Sequence, residues 1–316
     1  MKTSLVTGRC FSSGLTMALL LAGTAIGSAQ AATVHISMTA KEVDVAKDNE
    51  GHMEHAWTFD GVVPGPLVRA TEGDTIVFTL KNDPANKNSH SMDFHASRLD
   101  VLTAFAPVKP GETKNFTFTA DNPGIFFYHC GSDPMIQHIA RGMFGAVIID
   151  PKDPAAMPKA DREYVLIESE KFDNNEDVKG MMEGKWQHTA FNGIPFRYDP
   201  VHDANATQTL EAKPGERVRI YLVNAGPNDF SGFHPIAGIW DKVYPSGNPK
   251  NVLTAVQNYT VAPGDAATFD IISPVEGANA LVNHSMRSAL SGAIAVLMFS
   301  DKADPSMGHG DKILVR

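Results

Sequence analysis

VKPGETKNFTFTADNPGIFFYHCGS, from Val108 to Ser132, returns later in the chain as VAPGDAATFDIISPVEGANALVNHSMR, from Val261 to Arg287. Each copy opens near a Pro-Gly pair and runs through alternating apolar residues, a second turn and a second apolar run, the pattern of two strands joined by turns. Aligned on Pro-Gly, His129 is expected opposite His284 and Cys130 opposite Ser285. A second echo pairs EGDTIVFTLKN from Glu72 with PGERVRIYLVN from Pro214. One unit used twice accounts for both echoes, with the joint expected in the linker PKDPAAMPKADR at 151–162.

Working outward, strand-like runs recur at short spacing: Thr75–Leu80, Asn115–Thr119, Gly145–Ile149, Arg217–Val223, Ala267–Ile272 and Ala293–Phe299. Long amphipathic stretches of helical period are scarce, so the expected fold is all-β, two tandem β-sandwiches. A chain of 316 residues that is 43% hydrophobic can fill two such cores.

The N-terminus carries Lys2 and Arg9, an apolar run from Leu15 to Ile26, and Ala29-Gln30-Ala31, a small-x-small end. Residues 1–31 therefore read as a secretory signal cleaved near Ala31; the apolar run is too short to span a bilayer unaided. The expected organisation is 1–31 signal, 32–157 first domain and 158–316 second domain, with no membrane span in the mature form. Cleavage leaves 25 basic and 36 acidic residues, a net charge of −11. Acidity spread along the chain argues against a nucleic-acid partner and suits a basic soluble protein. Cleavage also removes Cys10, leaving Cys130 alone. Without an internal disulfide partner it is a buried hydrophobe, a reactive thiol or a metal ligand.

Its neighbours select the third reading. YHCGSDPMIQHIARGM, at Tyr128–Met143, places Cys130, His138 and Met143 on one strand-to-loop segment. A thiolate, two imidazoles and a weak axial thioether are the ligands of a blue copper site. The second imidazole must come from another strand, and HSMDFH at 90–95 offers His90 and His95; resemblance to cupredoxins favours His90. Adjacent strand residues face opposite ways, so with Cys130 turned inward His129 turns outward, and His95 turns away from His90. His95 and His129 are then free to share a second metal. His284 is the expected third ligand, in a three-imidazole site with an open position that suits catalytic copper or zinc. Asp93 and His234 are the candidate acid-base groups beside it.

These residues, with WTFDGVVPGPLVRATEGDTI at 57–76, FYHCGSDPMIQHIARGMFGAVI, FHPIAGIWDKVY and VNHSMRSALSGAI, resemble the copper-containing nitrite reductases over nearly the whole mature chain. The resemblance implies two cupredoxin-like Greek-key domains per subunit, a homotrimer and two coppers per subunit. Type 1 copper matches His90, Cys130, His138 and Met143. Type 2 copper matches His95 and His129 of one chain and His284 of its neighbour. It further implies catalytic roles for Asp93 and His234, with Ile236 over the open copper position. An electron from a small periplasmic donor, a cupredoxin or a c-type cytochrome, would pass from type 1 copper through Cys130-His129 to type 2 copper. Nitrite there would become nitric oxide and water, as in denitrification or nitrate assimilation.

Some residues depart from that pattern. The loop ASRLDVLTAFAPVKPGE after His95 lacks a Gly-rich run, CGSDPMIQH is a short ligand loop, Arg141 stands where asparagine is frequent, and Ile239 replaces a histidine of some members. Two other readings compete: a two-domain multicopper oxidase, which would need His-x-His pairs and a His-Cys-His that this chain lacks, and an electron-transfer cupredoxin, which would leave His95, His129, His284, Asp93 and His234 without a shared purpose. The remaining histidines, at 35, 52, 55, 188, 202 and 309, read as surface residues.

Overall fold

The structure, a computed structural model, describes residues 31–316; apart from Ala31 the expected signal segment lies outside the described residues. The first half contains β1 (Thr33–Ala46), β2 (Met53–Phe59), β3 (Val68–Thr71), β4 (Thr75–Asn82), β5 (Asp93–Phe94), β6 (Thr113–Thr119), β7 (Gly124–His129) and β8 (Phe144–Asp150). They form two four-stranded sheets, ordered β2-β1-β4-β6 and β3-β8-β7-β5. In β4 alternate residues Ile76, Phe78 and Leu80 are buried, and they pack with Val68, Tyr128, Val147 and Ile149 of the facing sheet in one core.

The second half contains β9 (Arg162–Lys171), β10 (His188–Phe191), β11 (Leu210–Ala212), β12 (Arg217–Asn224), β13 (Ser231–Ile236), β14 (Trp240–Pro245), β15 (Leu253–Val256), β16 (Tyr259–Val261), β17 (Ala266–Ile272), β18 (Gly277–Asn283) and β19 (Ile294–Phe299). Its sheets are ordered β10-β9-β12-β17-β14-β15 and β11-β19-β18-β13-β16, around a core that includes Tyr164, Leu222, Phe233, Trp240 and Phe269. All six expected strands form, most of them one or two residues longer than the apolar run alone. After α1 (Val101–Ala104) comes α2 (Met135–Ala140), at six residues the longest α-helix described. Among the described residues, no helix is long and apolar enough to cross a membrane.

β8 is buried on both faces, since Val147 and Ile149 face the first core while Phe144, Ala146 and Ile148 join Ile125 and Phe127 against Val165, Ile167, Tyr221 and Val223 of the second half. An unbroken apolar run such as FGAVII is what a strand covered on both sides requires.

One side-chain hydrogen bond recurs in both halves. Buried Asn82 and Asn224 each donate a side-chain amide to the carbonyl of the valine that opens an echo, Val108 (2.8 Å) and Val261 (3.1 Å). Strand register, however, corrects the expected pairing of the two histidines. Gly124 lies across from Ile149 and His129 from Phe144; Gly277 lies across from Phe299 and Val282 from Ile294. Likewise Cys130 N donates to Met143 O and Asn283 N to Ala293 O. His129 is therefore the counterpart of Val282 and Cys130 of Asn283. His284 sits two residues further on, beyond the strand, because the ladder keeps one residue per rung and leaves no room for a two-residue slip inside it.

Candidate metal centres

β7 presents Tyr128, and then Cys130 just beyond its end, to the interior of the first sandwich, while Ile125 and Phe127 face the second half and His129 shares that outward parity. Cys130 Sγ lies 3.2 Å from His138 Nδ1, and His138 Nδ1 lies 3.3 Å from His90 Nδ1. All three side chains are buried. His138 rides on α2, whose end is folded back by Met143 N donating to His138 O (3.0 Å) and Cys130 N donating to Met143 O (3.0 Å). Met143 is thereby buried beside Cys130. The turn needs Gly142: its φ is +114°, and a Cβ there would lie 2.5 Å from Val63 Cγ2.

Burial holds the His90 and His138 imidazoles below their ordinary pKa, that of His138 at about 3, with the neighbouring His90 adding to the shift. Both are neutral at physiological pH. Glu42 accepts a hydrogen bond from His90 Nε2 at 3.2 Å, which leaves the Nδ1 lone pair turned toward Cys130. Burial also pushes the Cys130 thiol up, against the Ser91 N–H that it accepts at 3.2 Å. Two lone-pair nitrogens and one sulfur converging in a dry pocket fit a soft-ligand metal such as copper, which would displace the thiol proton.

On the other face of the same strand His95 Nε2 and His129 Nε2 stand 3.2 Å apart, with Asp93 Oδ2 3.9 Å from His129 Nε2. The two-residue β5 pairs Asp93 with His129 directly. His129 Nδ1 donates to the Cys130 carbonyl at 3.0 Å, so its Nε2 lone pair points to His95. Burial lowers the His129 pKa, and Phe127 packs on its ring with centroids 4.8 Å apart. These donors fit a metal bound by imidazole. Among the described residues no third histidine joins them within one chain.

His284 and His234 form a separate pair in the second half, ring centroids 5.3 Å apart. His234 Nδ1 donates to the Gln257 carbonyl at 2.5 Å, and the His284 N–H donates to Gly232 O at 2.7 Å. His284 is exposed, as is His95, and exposed apolar side chains lie near it in sequence, at Met286 and Leu290, or on and just beside the adjoining β13, at Phe230, Ile236 and Ile239. The histidines at 35, 52, 55, 188, 202 and 309 are also exposed, without forming such a cluster among the described residues.

Several supporting groups gave no sign in the sequence: Glu42, Ser91, Gln257 and, most of all, Glu168. Glu168 is a buried carboxylate in β9 that accepts from the Ser231 hydroxyl and from Asn283 Nδ2 (2.7 Å). Asn283 precedes His284, and Ser231 begins the strand that carries His234, so one carboxylate ties both imidazole-bearing segments together. Burial pushes its pKa up to about 7. A raised folded-state pKa adds stability that is complete below the unfolded value and is lost as pH rises through the folded one. The Glu168→Gln variant keeps an acceptor for Asn283 and gains a donor for Ser231. Relative to the natural protein it should gain about 3 kcal/mol between about pH 4.5 and pH 8. Denaturant unfolding of both proteins at several pH values checks this, and a difference that does not change with pH would contradict it.

A buried sulfur-and-imidazole set, back to back with an imidazole pair on one strand of paired β-sandwiches, defines a copper protein of the cupredoxin class. Residues 40–154 match a family model described as multicopper oxidase. The chain is 33% identical over 287 residues to the copper-containing nitrite reductase of Neisseria gonorrhoeae, covering 87% of this chain and 71% of that one. Among solved structures, it is similar to a copper nitrite reductase from Nitrosomonas europaea at 67% identity and a TM-score of 0.89, over 90% of this chain and 100% of that one. A copper-containing nitrite reductase from Thermus scotoductus matches at 31% identity and a TM-score of 0.78, over 87% of this chain and 63% of that one. The chain belongs to the copper-containing nitrite reductases, a family of copper-dependent oxidoreductases, and its β-sandwiches are cupredoxin-like.

Proposed function

We propose that this protein reduces nitrite with one electron and two protons, releasing nitric oxide and water. The observation that carries the reading is the placement of two metal-fitting sets on opposite faces of one strand, joined through the single peptide bond between His129 and Cys130. Type 1 copper would be held by His90, Cys130, His138 and Met143, and type 2 copper by His95 and His129 with His284 of a neighbouring subunit. Bound there, the metals would take up the electron from the donor, pass it across that bond and offer nitrite an open coordination position.

The remaining work falls to the chain. Asp93, next to His129 and partly open to solvent, is placed to hold a proton and deliver it to an oxygen of nitrite, the oxygen that leaves as water. His234, its Nδ1 hydrogen committed to the Gln257 carbonyl, keeps Nε2 free for a second proton. Ile236 narrows the space in which nitrite can lie. The exposed His95 and His284, each in an incomplete set, support a ring of three copies in which each junction completes one site. We assign 32–157 to the first domain, 158–316 to the second, and 1–31 to a signal that directs the chain to the periplasm. A small cupredoxin or c-type cytochrome there would supply electrons.

The test is nitrite-dependent nitric oxide release by the copper-loaded protein with a reduced artificial donor, alongside an oxygen-uptake control. Nitric oxide release supports the reading; oxygen uptake without it would place the chain with the oxidases. Within this scheme Asp93→Asn should keep both metals and lower kcat by about 10²- to 10⁴-fold, the range for loss of a positioned proton donor. Steady-state rates with metal analysis check it.

A further inference from the structure

Arg141 follows α2 directly, and its side chain is only 7% exposed. Its guanidinium carbon lies 4.5 Å from the centroid of the Trp57 ring. On from there, the Trp57 ring is 4.5 Å from His138 and 5.7 Å from His90, centroid to centroid. The stack is pinned by Trp57 N donating to Arg141 O at 3.1 Å. Among the described residues the guanidinium has one carboxylate partner, Glu176 of the second half, which meets Nη2 with a side chain that is 77% exposed, while Nε has no hydrogen-bond partner. The positive charge is thus held inside the protein and its counter-charge stands in water. Screening weakens the exposed partner far more than the buried one.

A fixed positive charge near a metal favours whichever oxidation state carries less positive charge. We propose that Arg141 is an electrostatic positioning residue that holds up the reduction potential of the His90–Cys130–His138 centre through Trp57, and that Glu176 moderates it. The inference rests on that set binding copper. Its consequence is a first centre that takes an electron readily from its donor, with the upper limit set by a salt bridge between the two halves of the chain.

The experiment is a redox titration of the copper-loaded protein, following the visible thiolate-to-copper absorbance. Arg141→Gln should lower the midpoint by about tenfold in the one-electron equilibrium constant, ~59 mV. Arg141→Lys keeps the charge and should recover most of that shift. Glu176→Gln, at an exposed position, should raise the midpoint. If Arg141→Gln fails to fold, the Glu176→Gln titration decides alone, and an unchanged or lowered midpoint there overturns the proposal. An unchanged potential in Arg141→Gln, or a drop in Arg141→Lys as large as in Arg141→Gln, overturns it too. Absence of the visible band in the natural protein would instead overturn the copper reading of this centre, and the inference with it.

Discussion

Replacing His284 by alanine is expected to abolish nitrite reduction while the visible band of thiolate-bound copper survives. The cluster that contains Cys130 lies wholly within the first half and does not use His284. The pair His95 and His129 would be left with two imidazoles, too few to hold a catalytic metal firmly. Turnover should fall at least ~1,000-fold, about 4 kcal/mol of barrier. The arrangement of copies sharpens the expectation. If each site takes His284 from a neighbour, His95→Ala and His284→Ala subunits, each inactive alone, form working junctions when unfolded together and refolded. Random mixing in a closed ring gives about one quarter of the natural activity. Activity that stays at the level of the separate variants would mean that the three histidines meet within one chain.

Cys130→Ser is expected to remove the visible band and to lower donor-driven turnover on the order of 1,000-fold or more, again about 4 kcal/mol. Serine offers a hard oxygen where the proposed copper site offers a soft sulfur. The fold should persist, because the hydroxyl fills most of the same volume and can still accept from the Ser91 N–H. Metal analysis should find one copper lost per chain and the copper of the imidazole pair retained. Loss of both would show that the two sets bind cooperatively across the His129–Cys130 bond. A variant that keeps the band would remove Cys130 from the ligand set.

What could be read from the sequence follows from how directly each feature shows in residue order. Strands such as Thr75–Asn82 announce themselves because alternate side chains must meet a core. The opposite facing of His129 and Cys130 needs only strand parity. Register was harder: VNH and FYH look alike as letters, yet Gly124 and Gly277 start both strands at equivalent rungs, which puts His284 past the ladder. Letter similarity weighs a histidine match above a gap, while the hydrogen-bond ladder permits no gap there. Glu42 and Glu168 were invisible for another reason. Each is an acidic residue in an interior strand, with nothing in its neighbours to mark a partner, and only the tertiary fold brings a carboxylate to His90 or to Asn283. Arg141 stood out only as a departure from the family pattern. Its cause, the Trp57 ring beneath it, lies more than eighty residues away in the chain.

β7 is clamped between the two cores. Its two faces are both covered, Tyr128 and Cys130 by the first core and Ile125 and Phe127 by the second half. A strand with no uncovered side cannot peel away locally, so its amides should exchange with solvent deuterium only when the whole fold opens. The peptide bond between His129 and Cys130 is therefore anchored at the end of a strand covered on both faces. Surroundings that shift little also reorganise little when a neighbouring charge arrives or leaves, so on the proposed electron path this bond would pass an electron without waiting for the protein to move.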